Sequence, residues 1–407
     1  MTQTAALPGV EDAPNLVPPP GNPRFPLLDS MRAIAALSVF VGHTVTGVYT
    51  VSSHPKLFLW AVELAYEGVA IFFLISGFLL YRPFLTARRE DRRLRPASYA
   101  KRRFLRIVPA YWVALTIFIA AGWVEGVSTG NWWSFYAFGQ IYSPVNIGHG
   151  IGVAWTLCIE VTFYAALPLF VLVCARLARR RGSFTPDAVL LVVLAAGSLA
   201  FRAHFSGFTQ VATVSTLAGT FFWFALGMGM AIVSVRLEQH RARPRPEPGW
   251  VALWPVASWL LAAGLFVLNH EVQTGSVGLD PRGAVVVTHG LYGMSALFVM
   301  LPAVFAEQAR GPVQAVLRVR VLAWIGLISY AFYLYHTIVI DQLNKVARDA
   351  GISARYAFVA VASFFVTLAC ASASYYLLER PVMRWGRSSE RRRAAGTGAA
   401  APQGPRA

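Results

Sequence analysis

Arg32 and His43 stand eleven residues apart in a stretch that is otherwise almost wholly apolar. At 100° per residue that spacing is three helical turns plus about 20°, so both side chains share one helix face, about 16 Å apart along the axis. A guanidinium at one end of such a face can hold an anion, and an imidazole at the other can take up and return a proton. Either residue alone reads as a snorkelling arginine or a buried histidine bonded to a neighbouring helix; their shared face favours function. Asp29, three residues before Arg32, can pair with it. Glu160 falls inside another apolar run, where a carboxylate must be protonated, paired or turned towards a wet cavity. Ser329, Tyr333 and His336 follow at i, i+4 and i+7 and share a face. For the first two, a polar stripe that glues helices together is an adequate reading. Arg103 and Arg106 abut the apolar run that follows them, and Ser76-Gly77 lie late in an earlier one. By type, Arg32, Arg103 and Arg106, with Ser76, suit phosphate binding. His43, Glu160 and His336 suit proton transfer.

The elements that position these residues are membrane helices. Of the 407 residues 56% are hydrophobic and only 14% charged, with a mean hydropathy of +0.52. A soluble domain sits near 45–50% apolar and about 25% charged, so a water-soluble enzyme is excluded. Disorder is excluded by the 13% of aromatic residues, too many to leave in water. Long continuous apolar runs, rather than short alternating segments, exclude a membrane β-barrel. The expected fold is an all-α polytopic membrane protein with ten spans, at 27–48, 60–81, 107–124, 153–175, 187–203, 214–235, 250–268, 284–306, 321–343 and 356–378. Residues 1–26 and 382–407 are expected to be disordered cytoplasmic tails around a membrane domain at 27–381.

The net charge of +17 invites a nucleic-acid reading, but its distribution argues against one. With both termini cytoplasmic, 29 of the 36 basic residues fall in inner segments. Five fall outside (Lys56, Arg282, Lys345, Arg348 and Arg355), and Arg32 and Arg202 lie within spans. That bias is the positive-inside pattern, and it sets the orientation. Each of the three cysteines falls in an apolar run, so neither a disulfide framework nor a zinc site is expected. Depth along the spans then predicts two layers: an inner one of Arg32, Ser76, Arg103 and Arg106, and an outer one of His43, Glu160 and His336.

The ordered motifs resemble the acyltransferase-3 family of integral membrane acyltransferases. They are Leu28-Asp29-Ser30-Met31-Arg32 with His43; Phe72-Phe73-Leu74-Ile75-Ser76-Gly77-Phe78; Arg103-x-x-Arg106 followed by Ile107-Val108-Pro109-x-Tyr111; Trp155-x-Leu157-x-x-Glu160-x-x-Phe163-Tyr164; Ile328-Ser329-Tyr330-x-x-Tyr333-x-x-His336; and Glu379-Arg380-Pro381. The resemblance implies transfer of an acyl group, often acetyl, from acyl-CoA to a hydroxyl of a carbohydrate-containing acceptor: a surface polysaccharide, a lipid-linked sugar or a glycosylated natural product. It implies His43 as the essential histidine with Arg32 as its partner, and Arg103 and Arg106 as acyl-CoA contacts. Two departures stand out. Ala70 occupies a position that is acidic in many members. The 26 residues after Pro381 are too few for the hydrolase-like domain that many polysaccharide-modifying members carry, which leaves the acceptor class open.

The expected protein is thus a metal-independent membrane O-acyltransferase of the bacterial cytoplasmic membrane, with acyl-CoA as co-substrate, a carbohydrate acceptor and no nucleic-acid partner; its oligomeric state is left open. His43 acts as general base or transient acyl carrier, oriented by Glu160 in the manner of a base held by a third group, with His336 a second candidate for that layer. The rival readings are a transporter or flippase for a lipid-linked sugar, using the same buried groups as a proton relay, and a non-catalytic membrane scaffold. Against the transporter, no internal repeat is visible.

Overall fold

The computed structural model describes residues 25–92, 96–178, 183–205, 215–240, 253–306 and 311–396, all of whose regular structure is helical. Ten helices among them are long and apolar enough to cross a membrane. In chain order the first are α1 (Leu27–Val48), α2 (Pro55–Arg89), α3 (Pro96–Ala120) and a short α4 (Trp132–Tyr136). Then come α5 (Trp155–Leu177), α6 (Thr185–His204), α7 (Leu217–His240), α8 (Trp254–Gln273) and α9 (Pro281–Phe305). The last five are α10 (Pro312–Leu317), α11 (Arg320–Leu327), α12 (Ser329–Asp349), α13 (Arg355–Ser374) and α14 (Arg380–Gly396).

Local sequence sets many of the helix starts. Proline stands in the first turn of α2, α6, α8 and α9, where its missing N–H costs nothing. Asp280 caps α9 by accepting from the backbone N–H groups of Arg282 and Gly283 at 3.1 and 3.2 Å. The centre is built by close approach of backbones, as expected where lipid is as apolar as the side chains. A side chain at Gly68 would meet the Ala35 carbonyl of α1 at 2.5 Å. Gly227 of α7 packs against the Leu74 backbone of α2, and Gly77 of α2 against Phe224. Peripheral helices turn apolar side chains outwards, among them Val192, Leu260 and Phe365, as a lipid-facing surface requires.

Ten spans were expected and ten are present, but several boundaries differ in ways that matter for the site. Helix α2 covers 35 residues and overruns the expected 60–81 at both ends. Helix α3 begins at Pro96 rather than 107, so the basic run 96–106 is helical. Hydropathy finds only the part of a helix inside hydrocarbon, whereas Arg and Lys are good helix formers outside it. The ninth span is broken at Ile328, between α11 and α12. After α13 the chain makes one π-helical turn, Tyr375–Glu379, and continues as α14. The tail expected to be disordered from 382 is therefore helical through Gly396. Phe25, assigned to the N-terminal tail, is buried edge-on against Phe78 with ring centroids 5.0 Å apart, and the Arg82 guanidinium lies 4.8 Å over its ring. Residues 1–24 and 397–407, the remainder of the expected tails, lie outside the described residues.

The connection between α3 and α5 is partly folded into the bundle. Phe135, Gln140, Ile141 and Ile151 are buried, and Tyr111 donates to the Phe135 carbonyl at 3.1 Å. The segment plugs one end of the bundle, so α5 starts deep within it.

Candidate active site

Seven helices (α1, α2, α3, α5, α11, α12 and α14) and the π-helical turn line a cavity of about 500 Å³ at the Arg32 end of α1. Arg32 enters from α1, with its Nη1 donating to Asp29 Oδ1 at 2.5 Å. Arg103 and Arg106 enter from the early turns of α3, and Arg387 from α14. The Arg103 guanidinium lies 6.0 Å from the Tyr99 ring and 5.8 Å from that of Tyr164, and its buried Nε has no hydrogen-bond partner. From α2, Ser76 Oγ donates to Glu160 Oε1 of α5 at 2.6 Å. The wall includes Tyr330 and Tyr375. Tyr330 is pinned by its hydroxyl to the Ile107 carbonyl at 2.8 Å, and the π-helical turn carries Tyr375. Four guanidiniums face two carboxylates, Asp29 and Glu160, so the cavity is cationic overall. Its volume lies within the about 300–1,000 Å³ of typical ligand pockets.

His43 and His336 form a second cluster at the other end of the same α1 face. His43 Nδ1 lies 3.0 Å from the Val39 carbonyl and 3.1 Å from His336 Nε2. His336 Nδ1 lies 2.7 Å from the Tyr333 carbonyl. Carbonyl oxygens only accept, so both Nδ1 atoms carry hydrogens. His336 Nε2 must then accept from His43 Nδ1, which makes His336 neutral. With its hydrogen on Nδ1, a neutral His43 carries its lone pair on Nε2. Phe40 and Phe332, ring centroids 5.5 Å apart, pack beside the pair. Between it and the cavity stand Phe72 and Tyr333, which meet edge-on at 5.7 Å. Both line the cavity, and the Tyr333 ring lies 5.5 Å from that of His336.

The structure thus brings Arg32, Arg103, Arg106 and Ser76 together, and separately His43 with His336. It does not place Glu160 in the outer layer. Glu160 sits with Ser76 in the arginine cavity rather than beside His43, and the side chain within hydrogen-bonding distance of the His43 ring is His336. The cause is the plug before α5. Counting depth from the start of the apolar run takes Trp155 for a residue near the surface. In fact Thr156, one residue further on, already lies at the level of Tyr333, its hydroxyl 2.9 Å from the tyrosine's.

Sequence reasoning missed Arg387 and Tyr375 in the cavity wall, which the π-helical turn aims inwards. It also missed a polar group on the far side of α2, where His270 Nδ1 meets Glu63 at 3.0 Å under a stacked Trp60 and Glu67 is buried one turn on. The rule that flagged Arg32, an ionisable group inside an apolar run, would have found Glu63 and Glu67. Among the described residues no group of three His, Cys, Asp or Glu is arranged to hold a metal ion.

A family model described as an acyltransferase domain, acyltransferase-3, matches residues 25–376. The chain belongs to the acyltransferase-3 family. As an acyltransferase-3 protein it is a multi-pass membrane enzyme that transfers an acyl group, and the transporter and scaffold readings are set aside. Nodulation protein 10 of Rhizobium leguminosarum bv. viciae is 26% identical over 384 residues, 88% of this chain and 92% of the relative. The peptidoglycan O-acetyltransferase OatA of Listeria monocytogenes serovar 1/2a is 24% identical over 189 residues, which are 43% of this chain and 28% of OatA. The acyltransferase MdmB of Streptomyces mycarofaciens is 24% identical over 386 residues, 90% of this chain and 93% of the relative. No solved structure gives a match.

Proposed function

We propose that this acyltransferase-3 protein moves an acyl group, often acetyl, from acyl-CoA to a hydroxyl of a carbohydrate acceptor in the bacterial cytoplasmic membrane. The observation that carries the reading is the pairing, on one face of α1, of a cationic cavity with a histidine whose Nε2 is left free as a base. The acceptor class follows from likeness to a relative named for peptidoglycan O-acetylation.

The cavity residues fit the donor. Arg103 has a buried Nε without a partner, and guanidiniums bind phosphate oxygens in bidentate fashion. Arg103 and Arg106 hold the phosphates of CoA, with Arg32 and Arg387 at the rim of the same field. Asp29 holds Arg32 in place, and Glu160 with Ser76 supplies hydrogen-bonding groups in the same wall. Phe72 and Tyr333 mark the passage along which the thioester reaches the histidines.

There His43 Nε2 takes the proton of the acceptor hydroxyl. The hydroxyl oxygen bonds to the thioester carbonyl carbon, the carbon–sulfur bond breaks, and the sulfur receives the proton from His43. His336 neither gives nor takes that proton; it keeps the His43 hydrogen on Nδ1. Both termini and the arginine cavity lie towards the cytoplasm, where acyl-CoA is made. The acceptor arrives from the histidine end.

The test is direct. Protein purified into lipid nanodiscs receives radiolabelled acetyl-CoA together with peptidoglycan fragments or lipid-linked sugars. Transfer of label matched by release of free CoA thiol, both lost in His43→Ala, is the expected result. Label transfer that survives unchanged in folded His43→Ala would overturn the assignment of the base.

A further inference from the structure

Five residues beyond His43, α1 ends in Val48 and meets the turn between α12 and α13 around a second concavity, of about 380 Å³. Its lining includes Tyr49, Arg348, Ser353, Arg355 and Tyr356, and no carboxylate. The frame is fixed. Arg355 Nη2 donates to the Val48 carbonyl at 3.1 Å, and the Tyr49 and Tyr356 rings stack 5.3 Å apart at 25°. His54 packs on Tyr49 with ring centroids 4.3 Å apart. Arg348 is exposed, and among the described residues it forms no ion pair.

The charge at this place runs against the rest of the chain. Of the five basic residues that the expected topology places outside, three, Lys345, Arg348 and Arg355, gather at this one turn. The positive-inside bias works to remove such residues, so their concentration calls for a reason other than topology. Lys345 lies one helical turn after Asp341, which is near enough to act on it electrostatically. Arg348 and Arg355 instead face the concavity, where two guanidiniums can hold a carboxylate or a phosphate. Around them the two tyrosine hydroxyls and that of Ser353 can exchange hydrogen bonds with ligand hydroxyls. Val48 lies about 7.5 Å along the helix axis from His43, a separation that a short oligosaccharide spans.

We infer that this concavity is a docking site for a negatively charged, hydroxyl-rich group of the acceptor, a sugar phosphate or a uronic acid, held so that a neighbouring hydroxyl reaches His43. The inference rests on the reading of His43 as the base and of the histidine end as the acceptor's side. An anionic lipid headgroup offers the same chemistry, and the experiment separates the two sources.

Protein in phosphatidylcholine nanodiscs is titrated with glucose 1-phosphate, glucuronate and glucose, with binding followed by calorimetry. The two anions should bind and glucose should bind at least about tenfold more weakly, since bonds to charged groups are the stronger ones. Arg348→Gln should weaken both anions by about tenfold or more, and Tyr356→Phe by less, while acetyl-CoA affinity, which reports an intact fold, stays the same. Equal anion binding by Arg348→Gln and the parent protein, or no anion binding at all, overturns the site. Loss of sugar-phosphate binding when phosphatidylglycerol is added to the nanodiscs assigns the concavity to a lipid headgroup and overturns it as well. Anion binding that depends on Arg348, with acyl transfer that survives His43→Ala, would instead break the proposed function and leave the docking site standing.

Discussion

The arginine cavity and the histidine pair share one face of α1, yet they are built in opposite ways. The cavity is wide and cationic, and it leaves a donor, Arg103 Nε, without a partner. The histidine pair is tight, with three of its four ring nitrogens in hydrogen bonds. The contrast fits the work proposed for each. Binding a polyanion needs room and uncommitted donors. Proton transfer needs one lone pair held in one tautomer, and that takes committed neighbours. Phe72 and Tyr333 stand between the two.

The comparison breaks most sharply at His43. His43→Ala should reduce acyl transfer by about 10²–10⁴-fold, the usual contribution of a general base, while leaving acyl-CoA affinity near that of the parent protein. A matching loss of acyl-CoA affinity would show that the two regions are one. Arg103→Ala with Arg106→Ala should do the converse. A hydrogen bond to a charged group contributes about 1.5–3 kcal/mol, so KM for acyl-CoA should rise roughly tenfold or more with a smaller change in kcat. An unchanged KM would return both arginines to the role of topology determinants.

A smaller effect is expected at His336, which positions rather than reacts. His336→Ala should lower kcat by about tenfold, within the lower range of losses at acid–base sites, without raising KM for acyl-CoA. His336→Gln, whose side-chain oxygen can still accept from His43 Nδ1, should recover most of the rate. A glutamine variant as slow as the alanine one would rule out the tautomer role. The smallest change is expected from Ser76→Ala, which removes one neutral donor to Glu160; a two- to fivefold rise in KM corresponds to roughly 0.5–1 kcal/mol. Reporter fusions sharpen the comparison from outside. Fusions after residues 95, 178, 242 and 313 should report cytoplasmic, and those after 135, 275 and 349 external. The reverse pattern would exchange the sides assigned to donor and acceptor.

Much of this architecture is legible along the chain because hydrocarbon imposes a simple length rule. About 20 consecutive apolar residues make a span, and all ten were found that way. The shared face of Arg32 and His43 is also legible, since a single helix has a fixed pitch. Legibility ends where helices leave the hydrocarbon or begin inside the protein. Helix α3 extends eleven residues before its apolar run, which moves Arg103 and Arg106 from a loop onto helical turns. Helix α5 begins behind a buried plug, which carries Glu160 from the layer of His43 to that of Arg32.

Taken alone, the sequence determined the fold class, the number of spans, the candidate histidine and arginines, and, through the charge bias, an expected orientation. Each of these is a one-dimensional property, set by hydropathy, helical pitch or the distribution of basic residues. Only the tertiary structure decided which of those residues meet. It paired His43 with His336 across nearly three hundred positions, gave Glu160 to Ser76, and turned Tyr375 and Arg387 into the cavity through one π-helical turn. The reason is that interhelical contacts depend on rotation and depth. Both are set by packing at small residues such as Gly68, Gly77 and Gly227, and by a folded-in loop, neither of which leaves a periodic trace in the chain.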